Sequence, residues 1–316
     1  MGGVSYLDPT INLPSAFVQR KIGVVTVTYN SAAMLDEFFA SLNAQTHSEF
    51  CLIAVDNAST DGTIPLLHAY SGVEKLVIAN PTNVGVAGAN NQGIRAAIEM
   101  GCEYVLLINN DVVFNPELFA QLVQGLADLG CDMDTPLIYY MDPPDRIWTA
   151  GGRFEPRLGF QIYHRGADEQ DRGQYSHPEK IDYAPTCCVL IRREVFAKIG
   201  LMDERYFVYG DDVDFMYRAR QAGLVMYHLP QSKLWHKVSG LTGGGISDFS
   251  FYYNARGRAL FLHKHFHGLV PSFWIMLHIL QDSTRAILHQ SFRHARKVKQ
   301  KGLRDGKKVA LEQLSQ

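Results

Sequence analysis

Four short strand-like runs, each followed by polar residues and spaced by helical patterns, constrain this chain more than any other feature. They are Ile22 to Val27, Phe50 to Val55, Glu74 to Ile78 and Tyr104 to Ile108. After the first run, Met34, Leu35, Phe38, Phe39 and Leu42 fall on one helical stripe; before the fourth, Ile94, Ala97 and Ile98 do the same. Apolar, β-branched runs of this length read as buried strands. Helices between them imply parallel neighbours, because a parallel pair needs a long crossover. The expected fold class is therefore α/β, with a doubly wound, mostly parallel, Rossmann-like central sheet. At 316 residues and 47% hydrophobic content, the chain can bury one large domain, with or without an appendage.

The second half continues the alternation less regularly. Asn115 is placed to cap a helix with Pro116 at its first position and Gly130 just past its end. Cys131 to Lys180 is rich in Pro, Gly and charge, and reads as short strands and an ordered loop. Thr186 to Ile191 and Leu224 to Leu229 read as strands that complete the sheet, with helices at Glu194 to Ile199 and Asp212 to Ala222. Beyond Phe249 the chain turns helical and aromatic, then basic. The expected division is a leader over 1–20, a main domain over 21–262 (halves 21–130 and 131–262), and a helical basic extension over 263–316.

A net charge of −2 argues against a protein built around nucleic acid. From Arg285 to Lys308, however, basic residues greatly outnumber acidic ones, so this tail is expected to have its own partner, an anionic membrane surface or an oligomer contact. The five cysteines (Cys51, Cys102, Cys131, Cys187 and Cys188) lack metal-knuckle spacing, and their odd number makes a poor disulfide framework. A reducing, cytoplasmic setting follows. The longest apolar stretch, Leu269 to Leu280, falls short of the roughly 20 residues that span a bilayer.

In open α/β sheets, ligands gather outside the carboxyl ends of the strands. Tyr29, Asp56 and Asp111 each follow an expected strand and so should face one cleft. A carboxylate such as Asp56 can accept from a pyrimidine N–H, and an aromatic such as Tyr29 can pack near a base. The polar triplet Asn109, Asn110 and Asp111, emerging from a buried strand, is a place to hold a metal. Asn83 to Gly93 is a small-residue stretch entering a helix; small residues allow close backbone approach to a ligand, or tight helix-to-sheet packing at Gly88 and Gly93. It lacks the Gly-x-Gly-x-x-Gly spacing of a dinucleotide site, which counts against a dehydrogenase. Asp61 has an equally simple reading as an Asx turn or helix cap. Asp211, Asp212 and Asp214 enter a helix whose N-terminus favours their ionised forms; one of them can equally serve as its cap.

Taken together, the Thr28-Tyr29-Asn30 turn, Asp56 to Asp61, the Asn83 to Gly93 stretch, Asn109-Asn110-Asp111, Tyr209 to Asp214 and Trp235-His236 resemble, in order and spacing, a family 2 inverting nucleotide-sugar glycosyltransferase with the GT-A fold. The resemblance runs from Lys21 to Leu262. It implies a nucleotide site lined by Thr28, Tyr29, Asn30, Asp56, Asn83, Gly85, Asn90, Asn109 and Asn110, and a divalent cation, Mn2+ or Mg2+, held by Asp111 and His236. It further implies Asp212 as general base with Asp211 beside it, a candidate phosphate contact at Arg256 or a salt bridge there instead, and a glycine-rich flap over Gly240 to Gly245. The family's Asp-x-Asp is Asn109-Asn110-Asp111 here, a variant that occurs in the rhamnosyltransferase-like branch. Asp211 likewise replaces the Glu of Tyr-x-Glu-Asp-x-Asp, and Gly257 the Asn of Tyr-x-x-Arg-Asn.

The expected reaction is transfer of rhamnose or a similar hexose from a dTDP- or UDP-sugar to a glycan or lipid-linked glycan in cell-surface polysaccharide synthesis, at or near the inner face of the plasma membrane. The missing first carboxylate keeps open a catalytically degenerate binder of nucleotide or glycan. A nucleotidyltransferase would need a Gly-rich basic loop after the first strand, and Thr28 to Ala33 offers none. Arg218 and Arg220 are expected to solvate their helix.

Overall fold

A computed structural model describes residues 22–237, 247–288 and 292–312. The leader and the Gly240 to Gly245 flap lie outside them. The chain runs β1 (Ile22–Thr28), α1 (Ala32–Asn43), β2 (Phe50–Asp56), α2 (Thr63–Ala69), β3 (Lys75–Ala79), α3 (Gly85–Glu99), β4 (Tyr104–Ile108), β5 (Val112–Phe114) and α4 (Leu118–Asp128). It continues through β6 (Met133–Tyr140), β7 (Ile147–Thr149), β8 (Gly152–Glu155), β9 (Gln161–His164), β10 (Glu179–Ile181), β11 (Cys188–Arg192), α5 (Arg193–Ile199), α6 (Asp211–Gln221) and β12 (Met226–His236). Three helices follow: α7 (Asp248–His265), α8 (Val270–Leu288) and α9 (Phe292–Glu312).

The main sheet has the order β10-β12-β6-β11-β4-β1-β2-β3. Its β3-β2-β1-β4 half is parallel, as the helix-separated runs require. The other half is mixed: β11 lies antiparallel between β4 and β6, and β10 is antiparallel to β12 at the edge. The strand expected at Leu224 to Leu229 begins at Met226 and runs on to His236, across a register shift between Leu229 and Lys233. Its last residues pair with β5, a three-residue strand too short to register as a pattern. A buried layer of side chains lies on each face of the sheet, one around Phe38, Leu52 and Leu106, the other around Ile53, Ile94 and Phe261.

Two local expectations are corrected. Helix α4 begins at Leu118, not at Pro116; Asn115 contributes its backbone carbonyl to the Leu118 N–H, and no side-chain cap forms. Arg218 is not a solvating residue: it donates to Asp214 at 2.9 Å and to the Leu201 carbonyl at 2.7 Å, and it also reaches the Ile199 carbonyl. Arg220 lies 3.5 Å from Asp182. Of the two glycines read as packing positions, Gly93 abuts Val25 so closely that any Cβ would collide with it. The basic extension does not stand apart. Helix α9 lies along α7, Gly302 and Gly306 leaving no room for a Cβ against the backbone carbonyls of Tyr252 and Arg256, and Tyr252 donates to Asp305 at 2.8 Å.

Candidate active site

The carboxyl ends of β1 and β2 are in register, Thr28 beside Asp56. Asp56 is buried, and Oδ1 accepts from Thr28 Oγ1 at 2.8 Å and Ser59 Oγ at 2.5 Å while Oδ2 accepts from the Ser59 N–H at 2.8 Å. Three of the roughly four lone-pair positions of a carboxylate are thus used, leaving room for one outside donor. Asn30 accepts from the Thr60 N–H at 2.8 Å and donates its own N–H to Ser59 Oγ at 2.8 Å, locking the two turns together. Tyr29 stands exposed above them. Asp61 takes the simpler of its readings, accepting from the Thr63 N–H at 3.0 Å and the Ala32 N–H at 3.1 Å, where α1 begins.

At the start of α3, Asn83 accepts from the Gly85 N–H at 2.9 Å, and the Gly85 carbonyl accepts from Asn57 at 3.1 Å. Gly85 has φ +83° and packs against Phe207, so any Cβ there would be both strained and obstructed. Asn90 is buried. Its neighbour Asn91, outside the expected site, donates to the Met202 carbonyl at 2.9 Å and accepts from the Met202 N–H at 2.9 Å. Through Phe207 and Met202, the stretch expected to line the donor also braces the segment leading to α6.

The polar triplet sits at the end of β4. Asn109 is exposed, whereas Asn110 is buried and donates to the Val27 carbonyl at 2.6 Å. Pairing of β5 with β12 sets His236 beside Val112, so that His236 Nε2 lies 3.2 Å from Asp111 Oδ1. Apart from that approach of Asp111 Oδ1 to the imidazole, Asp111 Oδ1, Asn110 Oδ1 and His236 Nδ1 are buried without a hydrogen-bond partner. Buried polar atoms left unsatisfied are costly, and a carboxylate with an imidazole is a donor set suited to a divalent ion that also binds phosphate. The residues present therefore fit the expected cation. Among the described residues no cluster of three or more His, Cys, Asp or Glu forms, so beyond Asp111 and His236 the described residues add no further ligand of those types. The His236 pKa is raised: burial opposes the charge, but Cys187 and Asp111 beside the ring favour it.

At the start of α6 the three aspartates part company. Asp214 is fully buried and pairs with Arg218 at 2.9 Å, and with Lys264 and His265 at 2.7 Å each, which ties α6 to α7. Those partners outweigh the burial penalty and depress its pKa. Asp211 is also buried, but Oδ2 has no partner, and burial followed by repulsion from Asp212 pushes its pKa up to about 8. Asp212 is half-buried, and Oδ2 accepts from Tyr183 Oη at 2.5 Å while Oδ1 accepts from the Val213 N–H at 2.8 Å. Burial raises its pKa, and these two donors and His164 pull against the rise.

Tyr183 and His164 were not expected. Their rings stand edge to face at 5.5 Å; Trp148 lies 5.9 Å from His164 and 4.9 Å from His236. One line of rings thus joins Asp212 to the Asp111–His236 pair. The sequence held only a weak sign of it, since all three residues come from the irregular region before β11. Arg256 turns inward, its Nη1 donating to the carbonyls of Arg205 at 2.6 Å and Tyr206 at 3.2 Å. It thereby holds the segment that precedes Asp211.

Residues 23–200 match the family model described as glycosyl transferase family 2. An N-acetylglucosaminyl-diphospho-decaprenol L-rhamnosyltransferase of Mycobacterium tuberculosis is 28% identical over 250 residues, covering 70% of this chain and 77% of the relative. The dTDP-rhamnosyl transferase RfbF of Shigella flexneri is 26% identical over 291 residues, covering 86% and 90%. Among solved structures, the mannosyltransferase PcManGT of Pyrobaculum calidifontis, in complex with GDP-Man and Mn2+, superposes with a TM-score of 0.56 at 14% identity, covering 97% of this chain and 91% of its own. GalNAc-T7 with UDP, GalNAc and Mn2+ gives 0.57 at 16% identity over 78% of this chain, which spans 50% of that one. At such identities the structures speak for the GT-A fold alone.

Proposed function

This chain belongs to glycosyl transferase family 2 and is a glycosyltransferase; on that premise we propose that it moves rhamnose, or a similar hexose, from a dTDP- or UDP-sugar to a glycan or lipid-linked glycan, with inversion and with help from a divalent metal. The observation that carries the proposal is the unlike state of two adjacent carboxylates. Asp211 is buried with Oδ2 unpartnered, and burial pushes its pKa up to about 8, whereas Asp212, also raised by burial, receives two hydrogen bonds that favour its anion. Neighbouring acids pushed apart in this way divide into a neutral companion and a base.

Asp212 takes the proton of the acceptor hydroxyl as that oxygen attacks the anomeric carbon. The bond from that carbon to the diphosphate oxygen breaks, and the nucleoside diphosphate leaves with the electron pair. Attack from the face opposite the leaving group inverts the centre and requires no enzyme nucleophile. Asp111 and His236 would hold the cation, whose charge offsets the charge growing on the diphosphate. Asp56, with its free acceptor position, meets the N–H of the base, and exposed Tyr29 offers its ring beside it. The dTDP-rhamnose preference rests on the two rhamnosyltransferase relatives, and the lipid-linked acceptor on the decaprenol named in the first.

The test is transfer from dTDP-rhamnose and UDP-sugars by the wild-type protein and by Asp212→Asn. Loss of a general base costs about 10²- to 10⁴-fold in rate, while a nucleotide should still raise the melting temperature of the variant. Undiminished turnover by Asp212→Asn would remove the base assignment. Nucleotide binding without turnover by the wild type, across donors and acceptors, would favour a degenerate binder.

A further inference from the structure

We propose that the outer face of α8 lies on an anionic bilayer surface, with α9 as its cationic flank. Leu269, Phe273, Met276 and Leu280 follow one another at helical spacing and are 85%, 49%, 52% and 52% exposed. That is one apolar line along the helix. The helix does not need this line for packing, because its opposite face is already docked. There Trp274 sits against Gly159, where a Cβ would meet the ring at 2.6 Å. His278 lies 3.3 Å from Gln161 Nε2 and 3.4 Å from Arg258 Nε.

Helix α9 supplies the charge. Arg293, Lys297, Lys301, Arg304, Lys307 and Lys308 are exposed on it, and its only acidic residues are Asp305, bonded to Tyr252, and Glu312. An apolar stripe with a basic flank fits an anionic bilayer, where apolar burial and headgroup attraction add. A second copy of this chain would bring a like-charged α9 with it, which disfavours self-association as the occupant. Among the described residues no helix is long and apolar enough to cross a membrane, so the helix would rest in the interface plane.

The docked face of α8 rests on the β8–β9 hairpin. Strand β9 starts at Gln161, beside His278, and ends at His164, beside Tyr183. Three residues of strand cover about 10 Å. The same hairpin therefore links the membrane-facing helix to the tyrosine that holds Asp212, so that a lipid-borne acceptor would meet the base close to the bilayer. This last consequence rests on the transferase reading; the surface binding itself does not.

The full chain is mixed with vesicles of phosphatidylcholine alone and of phosphatidylcholine with phosphatidylglycerol, and floated on a density gradient. Binding is expected only to the anionic vesicles, weakening as salt shortens the screening length from ~10 Å at 0.1 M to ~3 Å at 1 M. The variant Leu269→Ser, Phe273→Ser, Met276→Ser, Leu280→Ser should partition more than tenfold less, since the loss of two buried methylenes at ~0.8 kcal/mol each already gives that factor, and a cooperative melting transition would show that it remains folded. The variant Lys297→Gln, Arg304→Gln, Lys307→Gln should lose the preference for anionic vesicles. Failure of the wild type to float, or equal flotation by the apolar variant, overturns the proposal. So does a wild-type dimer that the apolar substitutions dissociate, since the occupant would then be a second copy. Transfer to a short water-soluble acceptor should survive the apolar substitutions; absence of that activity in the wild type would count against the transferase reading and not against the surface.

Discussion

Replacing Tyr183 by Phe removes one oxygen and leaves the ring between Phe154, at 6.3 Å, and His164, at 5.5 Å. The lost oxygen donates to Asp212 Oδ2 at 2.5 Å. A hydrogen bond to an ionised group contributes about 1.5–3 kcal/mol, and each pKa unit corresponds to about 1.4 kcal/mol, so the Asp212 pKa should rise by about one to two units. The remaining groups facing this carboxylate are Asp211, which disfavours its charge, and the Val213 N–H and His164, which favour it. They stay in place. The base works only when ionised, so the acid limb of the kcat/KM profile should move upward by the same one to two units. Below that limb the variant should be about 10- to 100-fold slower; above it, on the plateau, it should approach the wild type. The measurement is kcat/KM against pH with one donor and one acceptor. A limb that stays at the wild-type pH would refute the hydrogen-bond argument, and a uniform loss at every pH would mark Tyr183 as a packing residue only.

Asp211→Asn tests the neutral companion through stability. With its folded pKa raised from 3.8 to about 8, wild-type Asp211 contributes stability that is full below the unfolded pKa and is lost as pH rises through the folded one. The melting temperature of Asp211→Asn relative to wild type should therefore climb between about pH 4 and pH 8 and then level off; a flat difference would show that Asp211 ionises freely. Asp111→Ala and His236→Ala should each abolish the metal-dependent part of the dTDP- or UDP-induced thermal shift and leave the metal-free part, and a shift that remains metal-dependent in both would exclude the pair as ligands. Gly306→Ala would drive a Cβ into the Arg256 carbonyl. Overpacking of this kind costs about 1–3 kcal/mol, or a few degrees of melting temperature at about 2–4 °C per kcal/mol, and an unchanged value would mean that α9 does not hold α7.

The half of the fold that sequence made legible is the half built from local pattern. The apolar runs ending at Val27, Val55 and Ile108 could be read as parallel strands because their helical spacers exclude hairpins, and the polar residues that close them necessarily emerge at one edge. Asp56 and Asp111 were visible for that reason; the start of a helix marked Asp211, Asp212 and Asp214 alike, and only the family resemblance singled out Asp212. Tertiary structure decided what periodicity cannot encode. The antiparallel insertion of β11 and the pairing of three-residue β5 with the end of β12 are choices among long-range alternatives, and that pairing alone sets His236 against Asp111. The roles of three neighbouring aspartates diverged through what the fold brings to them: Asp214 meets Lys264 and His265 of α7, Asp212 meets Tyr183, and Asp211 Oδ2 is buried without a partner. A carboxylate's chemistry is set by its burial and by the groups that the fold brings to it. The sequence supplies the acid; only the packed chain makes it a clamp, a base or a neutral companion.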